Sequence, residues 1–326
     1  MYDVYGIGNA MVDMEFEVKP EFLKELSIDK GIMTLVDEAR QTEILNTLNC
    51  PASQQSGGGS AANTLVTLGQ LGGKGFYSCK VADDSTGNFF VSDLIAAGLD
   101  TNLQQQPLSP TGTTGKCLVF VTPDADRTMN TFLGITSEIS HTEIVPEALK
   151  SSTYLYMEGY LVSSPTAKDA AIAARDLAQA NGVKTSFSLS DPTMTQFFRE
   201  GLLEIIGTGL DLIFANETEA LTLTQTTQID DAIPALKQYA QQFVITRGGQ
   251  GSLIYDGQTV LEIAPVPVQA VDTNGAGDTY AGTFLYGITH GMDYTQAGTF
   301  ASKAAAELVT QLGARLTPTQ LQRLLG

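Results

Sequence analysis

The stretch QAVDTNGAGDTYAGTFLYGITHG, residues 269–291, passes from an apolar, strand-like lead through a glycine-rich turn into an amphipathic helix. Gly275 and Gly277 permit a tight turn and keep side chains out of the way, so successive N–H groups can face an anion. The helix that follows adds its free N-terminal N–H groups and the positive end of its dipole. Asp278 then stands where developing negative charge is stabilised and where a nearby hydroxyl can lose its proton. That combination suits phosphoryl transfer to an alcohol. Ordinary helix capping accounts for part of the same pattern, because Asp is favoured in a first helical turn for dipole reasons alone.

The flanking residues narrow the reading. Asp272, Thr273 and Asn274 add polar groups ahead of the turn, while Tyr280, Ala281, Phe284, Leu285 and Ile288 give the helix an apolar face at three-to-four spacing. No GxxxxGK[ST] pattern occurs, so the turn is not a P-loop.

Composition permits a large core, with 326 residues of which 43% are hydrophobic. The formal net charge of −18 excludes a nucleic-acid backbone as partner, since Lys and Arg total only 18. Cys50, Cys79 and Cys117 form no metal-ligand spacing and suit reduced thiols of a cytoplasmic protein. The N-terminal MYDVYGIGNAMVD carries no signal-peptide pattern, and no apolar run reaches the length of a membrane span. Two histidines, His141 and His290, leave little scope for His-based metal chemistry.

Along the chain, strand-like and helix-like segments alternate. Tyr2–Gly8, Lys74–Val81, Tyr154–Gly159, Lys184–Leu189, Leu210–Ala215, Phe243–Thr246 and Ser252–Tyr255 are expected strands. Ala61–Leu71, Asn88–Ala97, Ala167–Asn181 and Ile229–Gln242 are expected helices. Such interleaving implies an α/β fold whose mostly parallel sheet is covered on both faces. Met11–Val18, Thr113–Val121 and Arg127–Phe132 break the rhythm as strands without intervening helices, with PDAD (residues 123–126) as a turn, and suit a small separate sheet.

Four further segments carry candidate chemistry. In SGGGSAANTLVTLGQLG, residues 56–72, Gly58 and Gly59 allow close backbone approach, and Asn63 in the first helical turn offers donor and acceptor to vicinal hydroxyls; a plain glycine-rich connection is the alternative. GIGNAMVD, residues 6–13, has an incomplete G-x-G-x-x-G with no helical pattern behind it, which supports a dinucleotide-binding oxidoreductase only weakly. Asp13 there can accept two hydrogen bonds from sugar hydroxyls. IFANETEA, residues 213–220, places Asn216 and Glu219 three apart at a strand end, which fits either a nucleotide-facing pair or a capping-box variant. VITRGGQGSLIY, residues 244–255, sets Thr246, Gly248 and Gly251 between two strands, as a hairpin turn or a phosphate loop. Arg127 is either a surface hairpin charge or a phosphate-facing cation.

DTNGAGD is similar to the second signature of the PfkB, or ribokinase-like, family of sugar and nucleoside kinases. The resemblance implies that Asp278 is the catalytic base and that Gly275, Ala276 and Gly277 form its anion hole. The GG-x-x-x-N pattern of Gly58, Gly59 and Asn63 resembles the family's first signature, which holds the sugar, and Asn9 and Asp13 match its N-x-x-x-D substrate positions. Asn216 and Glu219 match its N-x-x-E motif, which organises Mg²⁺ and phosphate, Glu219 acting through water. Thr246, Gly248 and Gly251 correspond to its ATP phosphate and ribose loop, and Arg127 to a lid Arg that closes over transferred phosphate. FASKAAAELVTQLGA, residues 300–314, resembles the helix that lines the adenine pocket, with Ala301 and Ala305 as contacts, although Ser302 and Lys303 replace the usual Asn-Ala.

These motifs fall in family order over nearly the whole chain. They imply a ribokinase-like three-layer sandwich in a single domain over 1–326, with a mostly parallel central sheet and a small β-sheet lid from about 14–33 and 113–131. ATP and Mg²⁺ follow, with a small-molecule sugar or nucleoside as substrate and a monomer or a homodimer through the lid. YGIGNAMVD, LSDPTMTQFFRE, DLIFANETEA and the Asn in DTNGAGD resemble adenosine kinase-like members, which implies a nucleoside acceptor. Gly159-Tyr160-Leu161-Val162 stands where those members carry a GFFL-like aromatic pair, and Met33 where they carry a polar residue, so a free sugar such as fructose or ribose stays open. A catalytically silent ligand sensor on the same scaffold is the rival from another class.

Overall fold

The computed structural model describes residues 1–48, 50–123 and 127–325; Asp124, Ala125 and Asp126 of the expected PDAD turn lie outside the described residues. Among the described residues the strands are β1 (Tyr2–Ile7), β2 (Met11–Glu17), β3 (Met33–Leu35), β4 (Gln54–Gly58), β5 (Gly75–Ser78), β6 (Asp100–Thr101), β7 (Gly115–Val121), β8 (Arg127–Phe132), β9 (Ser152–Glu158), β10 (Lys184–Ser188), β11 (Leu210–Asn216), β12 (Ala240–Thr246), β13 (Ser252–Tyr255) and β14 (Val260–Ile263). They form a large sheet of order β14-β13-β12-β11-β10-β9-β1-β5-β6 and a small one of order β3-β8-β7-β2-β4. All pairs of the large sheet from β6 to β12 are parallel, and the β12–β13 and β13–β14 pairs at one edge are antiparallel.

The strand sequences show why this sheet is covered twice. Val4, Tyr154, Tyr156, Leu212 and Phe214 pack into a core on one face, with the helices Ser60–Gln70, Ala276–Thr289 and Tyr294–Leu308. Their neighbours Tyr5, Leu155, Met157, Ile213 and Ala215 pack into a second core with the alanine stripe Ala167, Ala170, Ala171, Ala174 and Ala178 of the helix Pro165–Ala180. Strands apolar at every position belong to a sheet with no wet face. The ribokinase-like α/β sandwich expected from the sequence is the fold observed, and no helix among the described residues is long and apolar enough to cross a membrane.

Beyond shifts of up to three residues at segment ends, two features depart from the sequence expectation. The helix expected over Ile229–Gln242 ends at Leu236, because Ala240 pairs with Leu210 and the chain must reach that register. The small sheet also includes β4, at the glycine-rich stretch read as a turn, which pairs antiparallel with β2 from Met11↔Gly58 to Glu15↔Gln54. β2 pairs parallel with β7, and β7 antiparallel with β8. Phe16, Leu118 and Phe120 fix a separate core beneath this sheet with Leu23, Leu26, Ile28 and Ile44.

This layout positions the candidate residues. From β1 the chain builds outward to β5 and β6, then returns to β9 and builds the other way through β12. The switch point therefore lies between β1 and β9, where ligands of open parallel sheets bind at the carboxyl ends of strands. β2 and β4 carry the small sheet directly out of that point.

Candidate active site

Gly275 is the residue before the helix Ala276–Thr289 and adopts φ 75°, the left-handed conformation that favours glycine. A Cβ there would lie 2.3 Å from the Ala314 carbonyl oxygen and 2.8 Å from its Cα, so the turn is pressed against the C-terminal segment. The Ala276 N–H donates to Thr273 O at 3.2 Å. Beside Gly277 nothing lies within 4 Å of where a Cβ would stand, so the helix N-terminus opens onto free space. Asp278 sits half-buried in this first turn.

Two side chains of the neighbouring helix Ser60–Gln70 hold the Asp278 carboxylate. Ser60 Oγ donates to Oδ1 at 2.6 Å, and Asn63 Nδ2 donates to Oδ2 at 3.2 Å. Burial pushes the carboxyl up to about 6, while those two bonds and the charge of Arg315 pull it down. The group is thus largely ionised near neutrality yet able to take a proton, as a general base requires.

Asp13, on β2, is a second carboxyl that feels the charge of Arg315. Burial pushes it up to about 6 against the charges of Arg315 and Arg127. A Cβ on Gly58 would stand 2.8 Å from both Asp13 carboxylate oxygens, so glycine in the adjacent strand is what leaves them room. A narrow cleft between the small sheet and the turn is lined by Asp13, Ser56, Arg127, Asn274 and Ala314. Gly59 immediately precedes the helix that bears Ser60 and Asn63.

Arg127, at the start of β8, spans the two layers. It donates to Glu15 Oε2 at 2.7 Å within the small sheet and to Asp272 Oδ2 at 2.8 Å ahead of the glycine turn. Asp272 also accepts from Asn274 N and Gly313 N, both at 3.0 Å, so the turn, the C-terminal segment and the small sheet meet at one carboxylate.

Glu158 closes β9 in the core of the site. Its two oxygens accept from Asn9 N and Ala61 N, each at 2.7 Å, which ties the loop after β1 to the first turn of the Ser60 helix. Asn9 is itself buried, with its carbonyl accepting from Tyr77 Oη at 2.9 Å. Burial pushes Glu158 up to about 7, offset by those backbone bonds.

Asn216 and Glu219 form a closed capping box at the end of β11. Asn216 N and Nδ2 donate to the two Glu219 oxygens at 2.8 and 2.7 Å, and Glu219 N donates back to Asn216 Oδ1 at 2.8 Å. The capping and site readings therefore coexist. Glu219 is pushed up to about 7, first by burial, with the Asn216 backbone bond pulling it down and the charges of Asp191 and Asp278 pushing it further up. Thr246 lies beside Asn216 in the register, with Gly248 and Gly251 in the turn that follows. Ala301 and Ala305 lie on the helix Tyr294–Leu308, whose end accepts Val271 N at Val309 O, 2.7 Å.

Both ends of the Asn63 amide are engaged within the protein, since Arg315 Nε donates to its Oδ1 at 2.7 Å. Ser60, Glu158 and Arg315 escaped the sequence reading. Ser60 lay inside a motif already singled out, but its bond to Asp278 joins residues 218 apart, and nothing local signals it.

Four carboxyls here hold protons more tightly in the fold than the ordinary values of 3.8 for Asp13 and Asp278 and 4.5 for Glu158 and Glu219. Between about pH 4 and 7 the native state thus binds more protons than the unfolded chain, and stability falls as pH rises. Thermal denaturation is expected to give a lower Tm at about pH 7.5 than at about pH 5.5, and Glu158→Gln to flatten that fall; a Tm rising over this interval contradicts the assignment.

Residues 26–320 match the pfkB family of carbohydrate kinases. The fold superposes on the crystal structure of adenosine kinase from Sinorhizobium meliloti with TM-score 0.87 and 35% identity, covering 100% of this chain and 99% of that one. It also superposes on a probable sugar kinase from Rhizobium etli CFN 42 with TM-score 0.88 and 32% identity, covering 99% and 97%. Adenosine kinase of Saccharomyces cerevisiae is 26% identical over 329 residues, 94% of each chain.

Proposed function

Because the chain belongs to the pfkB family and is an ATP-dependent kinase with a hydroxyl acceptor, we propose that it moves the γ-phosphoryl group of ATP to a primary hydroxyl of an adenosine-like nucleoside. The observation that carries this reading is Asp278, held by Ser60 and Asn63 at a helix N-terminus that opens onto free space beside Gly277. Asp278 accepts the proton of the attacking hydroxyl, and the N–H groups of the turn face the charge on the transferring phosphoryl. Asp13 orients the acceptor through its hydroxyls, with Gly58 leaving its carboxylate accessible. Arg127 exchanges its carboxylate partners for phosphate oxygens, and the small sheet acts as a lid that excludes water.

ATP lies across the ends of β11 and β12, where Asn216, Glu219, Thr246, Gly248 and Gly251 face its phosphates and ribose, with Ala301 and Ala305 beside the adenine. Glu219 would hold Mg²⁺ through water, and that ion would supply neutralisation of phosphate charge. The free thiols of Cys50, Cys79 and Cys117 support a cytoplasmic setting.

Similarity to the adenosine kinase of S. meliloti over the full chain supports a nucleoside acceptor. A free sugar is the second reading, favoured by Tyr160 as the one ring of the Gly159–Val162 stretch and by similarity to the probable sugar kinase. ADP release with Mg-ATP and adenosine, other nucleosides, ribose or fructose separates the two. Adenosine is expected to give the highest kcat/KM; a sugar exceeding every nucleoside reverses the assignment.

A further inference from the structure

The hydrogen bonds on Asp278 continue beyond Asn63 to the C-terminal segment. Arg315 Nε donates to Asn63 Oδ1 at 2.7 Å, and Arg315 Nη1 donates to Asp93 Oδ2 at 2.5 Å. A guanidinium has donors only, so the Asn63 oxygen must face Arg315 and the Asn63 NH₂ must face Asp278, which it reaches at 3.2 Å. β4 packs over the Arg315–Asp93 pair closely enough that a Cβ on Gly57 would stand 2.2 Å from Asp93 Oδ2 and 3.2 Å from Arg315 Nη1. The pair is therefore built into the site.

We infer that Arg315 is a positioning residue for the transfer: it locks the Asn63 amide in the orientation that donates to Asp278 and holds a positive charge behind that carboxylate. This rests on the reading of Asp278 as the base. In this role Arg315 acts through Asn63 and through its field.

The groups that face Asp278 set the sign. From the helix Ser60–Gln70 come Ser60 and Asn63, and from the C-terminal segment Arg315. Tyr156, Glu158 and Tyr160 face it from β9 and the turn that follows, and Glu219 faces it from the helix Glu217–Thr224. Asp13 shares the Arg315 charge. Arg315 and the two hydrogen bonds favour the ionised Asp278, whereas burial favours the protonated form. Removing Arg315 takes away the opposite charge and frees Asn63 to turn, so the Asp278 pKa must rise.

The test is the carboxyl carbon of Asp278 in protein labelled with ¹³C-aspartate, assigned by its disappearance in Asp278→Asn and titrated without substrates. In wild type the midpoint is expected at about 6. In Arg315→Gln it is expected to rise by roughly one pH unit, so that kcat falls about fivefold at pH 6 and little above about pH 8. Asp93→Asn keeps Arg315 but removes its counter-charge and is expected to move the midpoint down; this variant carries the test if Arg315→Gln fails to fold. Shifts of opposite sign cannot come from a merely structural role. An Asp278 midpoint unmoved in folded Arg315→Gln, or one that rises in Asp93→Asn, overturns the inference. Turnover retained in Asp278→Asn removes the base reading instead, and the titration still decides whether Arg315 positions Asp278.

Discussion

Asp278→Asn is expected to lower kcat by roughly 10³- to 10⁴-fold with little change in KM for either substrate, a loss at the upper end of what one positioned base contributes. The amide has nearly the shape of the carboxylate but cannot take the proton of the attacking hydroxyl. One oxygen can still accept from Ser60 Oγ, now at 2.6 Å from Oδ1. The other position becomes NH₂ and faces the Asn63 NH₂, now a donor at 3.2 Å to Oδ2, so a local donor–donor conflict replaces one hydrogen bond. That conflict costs stability, which a thermal melt reads separately from turnover. Saturating kcat and KM values for ATP and the acceptor check the result; a kcat near that of wild type would exclude Asp278 as the base.

Gly275→Ala is expected to cost both stability and rate, whereas Gly277→Ala two residues later is expected to cost rate alone. At Gly275 the φ of 75° strains any L side chain by about 1–3 kcal/mol. The new Cβ would also lie 2.3 Å from the Ala314 carbonyl oxygen, a backbone atom next to Arg315 that has nowhere cheap to go. Displacing the turn misaims the N–H groups that face the phosphoryl, and losing one such donor lowers kcat by about 10²- to 10³-fold. At Gly277 there is no neighbour within 4 Å, so alanine fits the folded protein but occupies the space assigned to phosphate. Thermal melts and kcat for the two variants check the contrast. Equal Tm values for Gly275→Ala and wild type would contradict the close packing, and unchanged kinetics in Gly277→Ala would contradict the phosphate site.

Much of the large sheet was legible because its strands declare themselves locally. Runs such as Leu212–Ala215, within the strand Leu210–Asn216, are apolar at successive positions and bounded by polar residues, and a strand buried on both faces satisfies them. β4 was not legible, since QQSGG has neither β-branched residues nor alternation; its pairing with β2 comes from the chain that flanks it. The end of the Ile229–Leu236 helix was missed for a similar reason, because the register with β11 overrides local helical preference.

The candidate site divides along the same line. Asp278, Asn63, Asp13 and Glu219 sit in short motifs whose glycines and caps are local signals. What the sequence concealed is how these groups are wired. Ser60 to Asp278 spans 218 residues, Asn63 to Arg315 spans 252, and Asn9 to Glu158 spans 149, and each contact exists only because strands far apart in sequence end at one switch point. Asn63, expected to offer its amide to sugar hydroxyls, has both ends engaged by Arg315 and Asp278.

The most direct measurement is ³¹P NMR of wild-type protein incubated with Mg-ATP and adenosine. The expected result is a new phosphomonoester whose phosphorus couples to the CH₂ protons of the primary hydroxyl, formed in equal amount with ADP and absent when the nucleoside is left out. ATP breakdown to ADP and inorganic phosphate regardless of acceptor, or no ADP with any nucleoside or sugar, would contradict phosphoryl transfer at Asp278.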